Sequence, residues 1–225
     1  MLSYLSWPLF VNKEGRQIQD NTQKPAKKTY TEIYEINTCW DCPNKVIDLE
    51  QAAQACSQVF QDIAFTEQQK HRLGIEQPNY HHIFRVAISG CPNSCNQPQI
   101  KDFGLQGKAV PLVGEGCSQC GLCVKACPDR GILLGENGPE IDRSLCLNCG
   151  KCARCCPTGA ITIGESGYRV IRGGKLGRRP MLAQEVLSLT DQQGYTDSLR
   201  QTLDLLLKEG RFGERLGVLL ERMGK

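Results

Sequence analysis

Apolar residues recur at three- and four-residue steps through Val46, Leu49, Ala53, Cys56, Phe60 and Ile63. That period predicts a helix with one buried face. Leu199, Leu203 and Leu206 repeat it between about Thr196 and Glu209, with Gly210 as the stop, and Leu216, Leu219 and Leu220 mark a second tail helix from about Glu214 to Met223. The period changes to two at Phe84-Arg85-Val86-Ala87-Ile88, which predicts a strand. Arg85 is expected at an exposed position on it. The strand runs into Ser89-Gly90-Cys91-Pro92-Asn93-Ser94-Cys95, where glycine and proline force a tight loop. Tyr168-Arg169-Val170-Ile171 predicts another strand. Residues 1–38 show neither period and read as an irregular N-terminal segment, polar from Lys13 to Lys28. The first ten residues are mildly apolar but lack a basic start and a small-residue cleavage site, so they do not read as a signal peptide.

A duplicated cysteine pattern interrupts these periods. Cys117-x2-Cys120-x2-Cys123-x3-Cys127-Pro128 is followed by Cys146-x2-Cys149-x2-Cys152-x3-Cys156-Pro157. This is the bacterial pattern for two [4Fe-4S] cubanes, in which the fourth cysteine of each run ligates the other cluster. The spacing assigns Cys117, Cys120, Cys123 and Cys156 to one cluster, and Cys146, Cys149, Cys152 and Cys127 to the second. The halves match beyond the cysteines: Cys127-Pro128-Asp129-Arg130-Gly131-Ile132-Leu133-Leu134 parallels Cys156-Pro157-Thr158-Gly159-Ala160-Ile161-Thr162-Ile163. Each half reads as a Cys-rich loop, a short helix and a strand, together a ferredoxin module over 111–163.

Composition agrees. The chain has 225 residues, 14 cysteines and 23 glycines, with 40% hydrophobic and only 6% aromatic residues. The apolar core is modest, and metal binding is expected to supply much of the folding free energy. Cys-x2-Cys-x2-Cys runs converge on one ion or cluster, which argues against a secreted disulfide scaffold and for a reduced, cytoplasmic, oxygen-sensitive protein. No stretch approaches the ~20 apolar residues of a membrane span. The net charge of +3 is unevenly spread: residues 164–182 hold five basic residues against Glu165 alone, while the module balances five against five. Aromatic platforms on a wide basic face are missing, which argues against nucleic acid as a partner.

Cys39, Cys42, Cys91 and Cys95 form a further set, a Cys-x2-Cys paired with a distant Cys-x3-Cys. Four thiolates suit a third cubane, and tetrahedral zinc fits the same count. Cys56, on an apolar helix face, reads as a core residue, and Cys155 as a spare thiol. His71, His81 and His82 sit in a polar connector and read as surface residues.

The run from Phe84 to Gly107 resembles the siroheme/[4Fe-4S] motif of the sulfite and nitrite reductase family. There the Gly-Cys-x-Asn-x-Cys loop gives two cluster ligands, and its last cysteine bridges the cluster to the siroheme iron. By position the bridge would be Cys95. Gly173-Gly174-Lys175-Leu176-Gly177-Arg178-Arg179-Pro180 resembles that family's basic glycine-rich segment, and the resemblance makes Lys175, Arg178 and Arg179 candidates to hold siroheme carboxylates or the anion. A solvated basic turn or a docking patch is the alternative. Two features depart from the family. Its first cysteine pair is usually Cys-x5-Cys, which from Cys42 would place the second ligand at Asp48; Cys39 could serve instead, with an Asp48 carboxylate the weaker option. The lobe that usually precedes the motif has no match in the 38 residues before Cys39.

The expected architecture is therefore α+β: a reductase-like cluster half-domain over 39–110 and 164–225, split by the inserted two-cluster ferredoxin module at 111–163. The expected function is an electron-transfer subunit with three [4Fe-4S] clusters. It would be fed by an external donor and act with other redox subunits or a second copy of itself. The alternative is a siroheme-containing sulfite or nitrite reductase subunit.

Overall fold

The computed structural model describes residues 30–224. Its frame is a five-stranded sheet in the order β1-β2-β3-β6-β7. The strands are β1 (Tyr34–Thr38), β2 (Phe84–Ser89), β3 (Phe103–Val113), β6 (Ile161–Arg172) and β7 (Gln184–Thr190). β1, β2 and β3 run parallel, and β6 and β7 are antiparallel to their neighbours. Between β1 and β2 the chain forms α1 (Leu49–Asp62) and α2 (Phe65–Leu73); after β7 come α5 (Gln192–Glu209) and α6 (Leu216–Arg222). These helices bury one continuous core with the sheet, including Cys56, Phe60, Phe65, Phe103, Leu199 and Leu203.

The three predicted helices are present, with shifted ends. α1 starts at Leu49 rather than Val46 because Asp48 caps it, its Oδ1 accepting the Gln51 N–H at 2.9 Å. Val46 instead donates its N–H to Gly90 O at 2.8 Å. α5 begins four residues earlier than expected, at Gln192, behind the N-cap Asp191.

Other expectations need correction. Residues 34–38 are not irregular: Tyr34 to Thr38 pair in parallel with Phe84 to Ile88. Four half-buried residues and one exposed at a sheet edge carry too weak a period to be seen without their partner. The rest of the expected N-terminal segment, up to residue 29, lies outside the described residues. Arg85 is buried, at 6% exposure. Its guanidinium lies 4.0 Å over the Tyr80 ring, donates to Tyr80 O at 2.8 Å and sits 3.8 Å from the Glu35 carboxylate, while its backbone N–H goes to the Asp102 carboxylate. These partners compensate the desolvation that argues against burying an arginine. The boundaries expected at 110/111 and 163/164 fall inside β3 and β6, since Val113 pairs with Ile161 and Pro111 with Ile163.

The cysteine-rich segment thus grows from the end of a two-stranded ribbon. Within it, α3 (Leu122–Ala126) precedes the hairpin of β4 (Ile132–Gly135) and β5 (Gly138–Ile141), and α4 (Lys151–Arg154) precedes β6. The two halves use strands differently. Ile132 to Leu134 pair locally with β5, whereas Ile161 to Ile163 join the main sheet.

Topology sets where the cysteines lie. The carboxyl ends of β1, β2 and β3 and the start of β6 share one end of the sheet, by their parallel and antiparallel pairing. Cys39 and Cys42 follow β1, Cys91 and Cys95 follow β2, and residues 114–160 link β3 to β6. Carboxyl ends of parallel strands are where ligands gather in open α/β sheets.

Candidate metal centres

Cys39, Cys42, Cys91 and Cys95 line one cavity of about 310 Å³. Parallel pairing of β1 with β2 brings the two cysteine pairs together. Cys39 N–H donates to Ile88 O at 2.9 Å, and Gly90 N–H reaches the Cys39 sulfur at 3.1 Å. Asn93 Nδ2 donates to the Cys95 sulfur at 3.0 Å. Such N–H donors favour sulfur that carries negative charge. The loop packs tightly because Gly90 and Gly107 approach closely: a methyl built on Gly107 would sit 2.4 Å from Gly90 O. Asn96 Nδ2 donates to Asn37 O at 2.9 Å and Ile88 O at 3.1 Å, tying the loop's exit to both strands.

The duplicated runs form two further sets. Cys117, Cys120, Cys123 and Cys156 line one narrow pocket, and Cys127, Cys146, Cys149 and Cys152 line another. Each pocket draws its fourth cysteine from the other run. The repeat extends to the backbone. Gln119 and Asn148 take φ +57°, Gly121 and Gly150 take +69° and +66°, and Arg130 and Gly159 take +54° and +72°. Two residues after the first cysteine of each run, the chain turns through the left-handed region, which folds the loop around its pocket. Cys123, Ile132, Cys152 and Ile161 pack as one small apolar nucleus shared by both pockets.

Burial pushes the Cys152 thiol up to about 11 and raises Cys123 and Cys91. The Ile161 N–H, helped by Thr158, pulls Cys156 down. A buried thiolate penalised by desolvation needs a cation beside it, as iron or zinc would supply. Among the described residues no three His, Cys, Asp or Glu side chains converge as a single ion requires. The donor set therefore fits polynuclear clusters better than mononuclear zinc.

A second cavity, of about 390 Å³, separates the third quartet from the duplicated segment. Cys42, Cys91 and Cys95 line one side, and Cys149, Leu147 and Pro128 the other. The segment is held there by the Ala109 N–H donating to Asn148 O at 2.6 Å.

Residues 35–225 match the model of the "Nitrite and sulphite reductase 4Fe-4S domain". The chain belongs to the nitrite and sulfite reductase 4Fe-4S domain family. As a member it is an iron–sulfur protein, related to sulfite and nitrite reductases. It is 36% identical over 149 residues to the Coenzyme F420-dependent sulfite reductase of Methanocaldococcus jannaschii. That match covers 63% of this chain and 23% of the relative, so the chain spans only about a quarter of that protein. Among solved structures it resembles dissimilatory sulfite reductase I (DsrI), with TM-score 0.57 and 18% identity over 83% of this chain and 49% of that one. That likeness concerns the mixed α/β fold.

Of the remaining candidates of this family member, Cys155 lies beside the quartets and the basic turn does not line them. Lys175 is buried at 7% exposure, and its Nζ donates to Arg179 O at 2.9 Å. It pairs through its backbone with Met181 at 2.9 Å in both directions, which fixes the turn that holds Arg178 and Arg179 in solvent. Neither cavity at the third quartet counts Lys175, Arg178 or Arg179 in its lining. Asp48 Oδ1 caps α1, and Asp48 lines neither cavity at the third quartet. Cys56 is fully buried in α1, with its thiol pushed up to about 12 by burial. Cys155 is half-buried beside the duplicated pockets, its sulfur 3.3 Å from Cys152 O. His71 and His81 are exposed; His82, half-buried, accepts the Asn79 N–H.

Sequence reading passed over Ser89, Asn96 and Gln106, which organise the third quartet's loop. Ser89 and Gln106 are buried polar residues within mostly apolar strands. That break in an apolar run was the available signal, because a polar side chain in such a place needs partners.

Proposed function

We propose that this chain is the iron–sulfur electron-transfer subunit of a redox complex related to sulfite and nitrite reductases. In this reading Cys117, Cys120, Cys123 and Cys156 hold one [4Fe-4S] cluster. Cys127, Cys146, Cys149 and Cys152 hold the second, and Cys39, Cys42, Cys91 and Cys95 the third. Bound there, the clusters would supply one-electron acceptance and release.

The observation that carries the reading is the succession of cysteine-lined spaces. The two duplicated pockets share the nucleus of Cys123, Ile132, Cys152 and Ile161. Cys149 lines both its own pocket and the cavity that Cys42, Cys91 and Cys95 face. The quartet containing Cys149 is then the middle station. An external donor would deliver electrons at the Cys120 end, where that thiol is exposed. The third quartet would pass them to a partner chain or a bound group.

Cys95 favours a second reading, a siroheme-containing sulfite or nitrite reductase subunit. It is the exposed thiol of its quartet, with Asn93 holding its sulfur. A thiolate with one open side can bridge to a further metal centre. In that case Lys175, Arg178 and Arg179 act only where another chain brings their turn to the pocket.

The deciding experiment is an absorption spectrum of the anaerobically purified chain with iron, sulfide and extracted-tetrapyrrole assays. About twelve irons, four for each cubane, with broad cluster absorption and no tetrapyrrole support the electron-transfer subunit. The same iron with siroheme bands supports the reductase. About eight irons remove the third cluster and both readings with it.

A further inference from the structure

A chain of hydrogen bonds runs from the far side of the sheet into the Cys91–Cys95 loop. Arg169 on β6 is paired with Glu185 on β7. Its Nη1 donates to Gln106 Oε1 on β3 at 2.9 Å. Gln106 Nε2 donates to Ser94 Oγ, and Ser94 Oγ donates to Pro92 O at 3.1 Å. Gln106 and Ser94 are 3% and 7% exposed. Ser94 holds φ +56°, a conformation that a non-glycine residue keeps only when its surroundings impose it.

From Arg169 Nη1 inward every donor points toward the loop. The positive end of each dipole faces the loop, and at the outer end the Arg169 guanidinium stands between them and the Glu185 carboxylate. Aligned bonds polarise one another, and in a water-poor interior their field is weakly screened. We infer that Arg169 and Gln106 are positioning residues for the third quartet: they fix the Cys91–Cys95 loop through Ser94 and favour added negative charge on the cluster held there, so they raise its reduction potential. The inference rests on the proposed third cluster. Asn93, one residue from Ser94, donates to the Cys95 sulfur, so the strut acts on the segment that sets that bond.

The test is a spectroscopically monitored redox titration of the anaerobic full chain, with iron content measured on each sample. Gln106→Leu keeps the Arg169 charge but breaks both bonds through residue 106. Arg169→Gln removes the charge, and Arg169→Lys keeps it. We expect Gln106→Leu and Arg169→Gln to lower the reduced-to-oxidised ratio of the third cluster about tenfold at fixed potential, a ~59 mV shift for one electron. Iron content should stay at the wild-type value, and Arg169→Lys should recover most of the shift. Through-space charge alone predicts a shift in Arg169→Gln and none in Gln106→Leu, and that result overturns the relay. An unchanged or raised potential in both variants overturns it too, as does loss of the third cluster from both, which would reduce the chain to a structural strut. Absence of the third cluster from the wild type is a separate outcome, which sinks the functional reading and this inference together.

Discussion

Gly107→Ala is the most direct test of how the sheet holds the third quartet. Gly107 lies mid-strand in β3, paired with Tyr168. An added Cβ would sit 2.4 Å from Gly90 O, 2.9 Å from Gly90 C and 3.0 Å from Ile47 Cγ1. The obstruction is backbone, so rotating a side chain cannot relieve it. Gly90 immediately precedes Cys91, its O accepts the Val46 N–H, and its N–H reaches the Cys39 sulfur. Overpacking of this kind costs about 1–3 kcal/mol, and a lost hydrogen bond adds about 1 kcal/mol. The sum, about 2–4 kcal/mol, corresponds to roughly 4–16 °C in unfolding temperature for a chain of this size. The assay is anaerobic thermal unfolding with iron content, alongside Gly114→Ala, whose Cβ would meet only Ala160 O at 3.8 Å. Gly107→Ala should lose third-cluster iron and melt early, while Gly114→Ala stays within about 0.5 kcal/mol of the parent. A Gly107→Ala protein with full iron and an unshifted transition would refute the claim that close approach of β3 to the Gly90 turn shapes the site.

Cys95→Ser should cost one cluster's iron and spare the duplicated pockets; an iron assay showing loss of every cluster would contradict the separation of the quartets. Asp48→Ala should destabilise α1 by about 1 kcal/mol through its cap and leave iron unchanged, and a fall in iron would reinstate Asp48 as a ligand. Gly159→Ala places a side chain at φ +72° with open space around it, so denaturant titration should show a cost of about 1 kcal/mol without repacking. The Arg222 guanidinium, aided by the Arg211 N–H, holds Glu214 down to about 2. A carboxyl depressed in the folded state stabilises above its unfolded value near 4.5 and loses that contribution as pH falls toward 2. Stability at pH 6 and pH 3 should therefore differ less for Glu214→Gln than for the parent, by at most about 2 kcal/mol.

The cysteine spacing proposes how the thiols group. It paired Cys156 with Cys117, Cys120 and Cys123, and Cys127 with the second run, and those are the sets that share pockets. Ligand spacing is local geometry, written directly into the order of residues. The faces of α1, α5 and α6 were legible for the same reason, since a helix closes its hydrogen bonds within a few residues. What the sequence withheld was nonlocal. β1 is stable only beside β2, and its five residues say little by themselves. Arg85 looked exposed because its partners, Tyr80 and Asp102, are chosen by tertiary contacts. Lys175 is a candidate anion ligand by resemblance alone, and only the fold shows its ammonium on the Arg179 carbonyl. Sheet order, set by pairing between distant strands, brought Cys39 and Cys42 against Cys91 and Cys95, and turned Arg169, Gln106 and Ser94 toward the same loop. Composition and spacing determined which atoms could bind metal. The register of parallel strands, which depends on contacts between residues far apart in the chain, decided where those atoms meet and what lies between them.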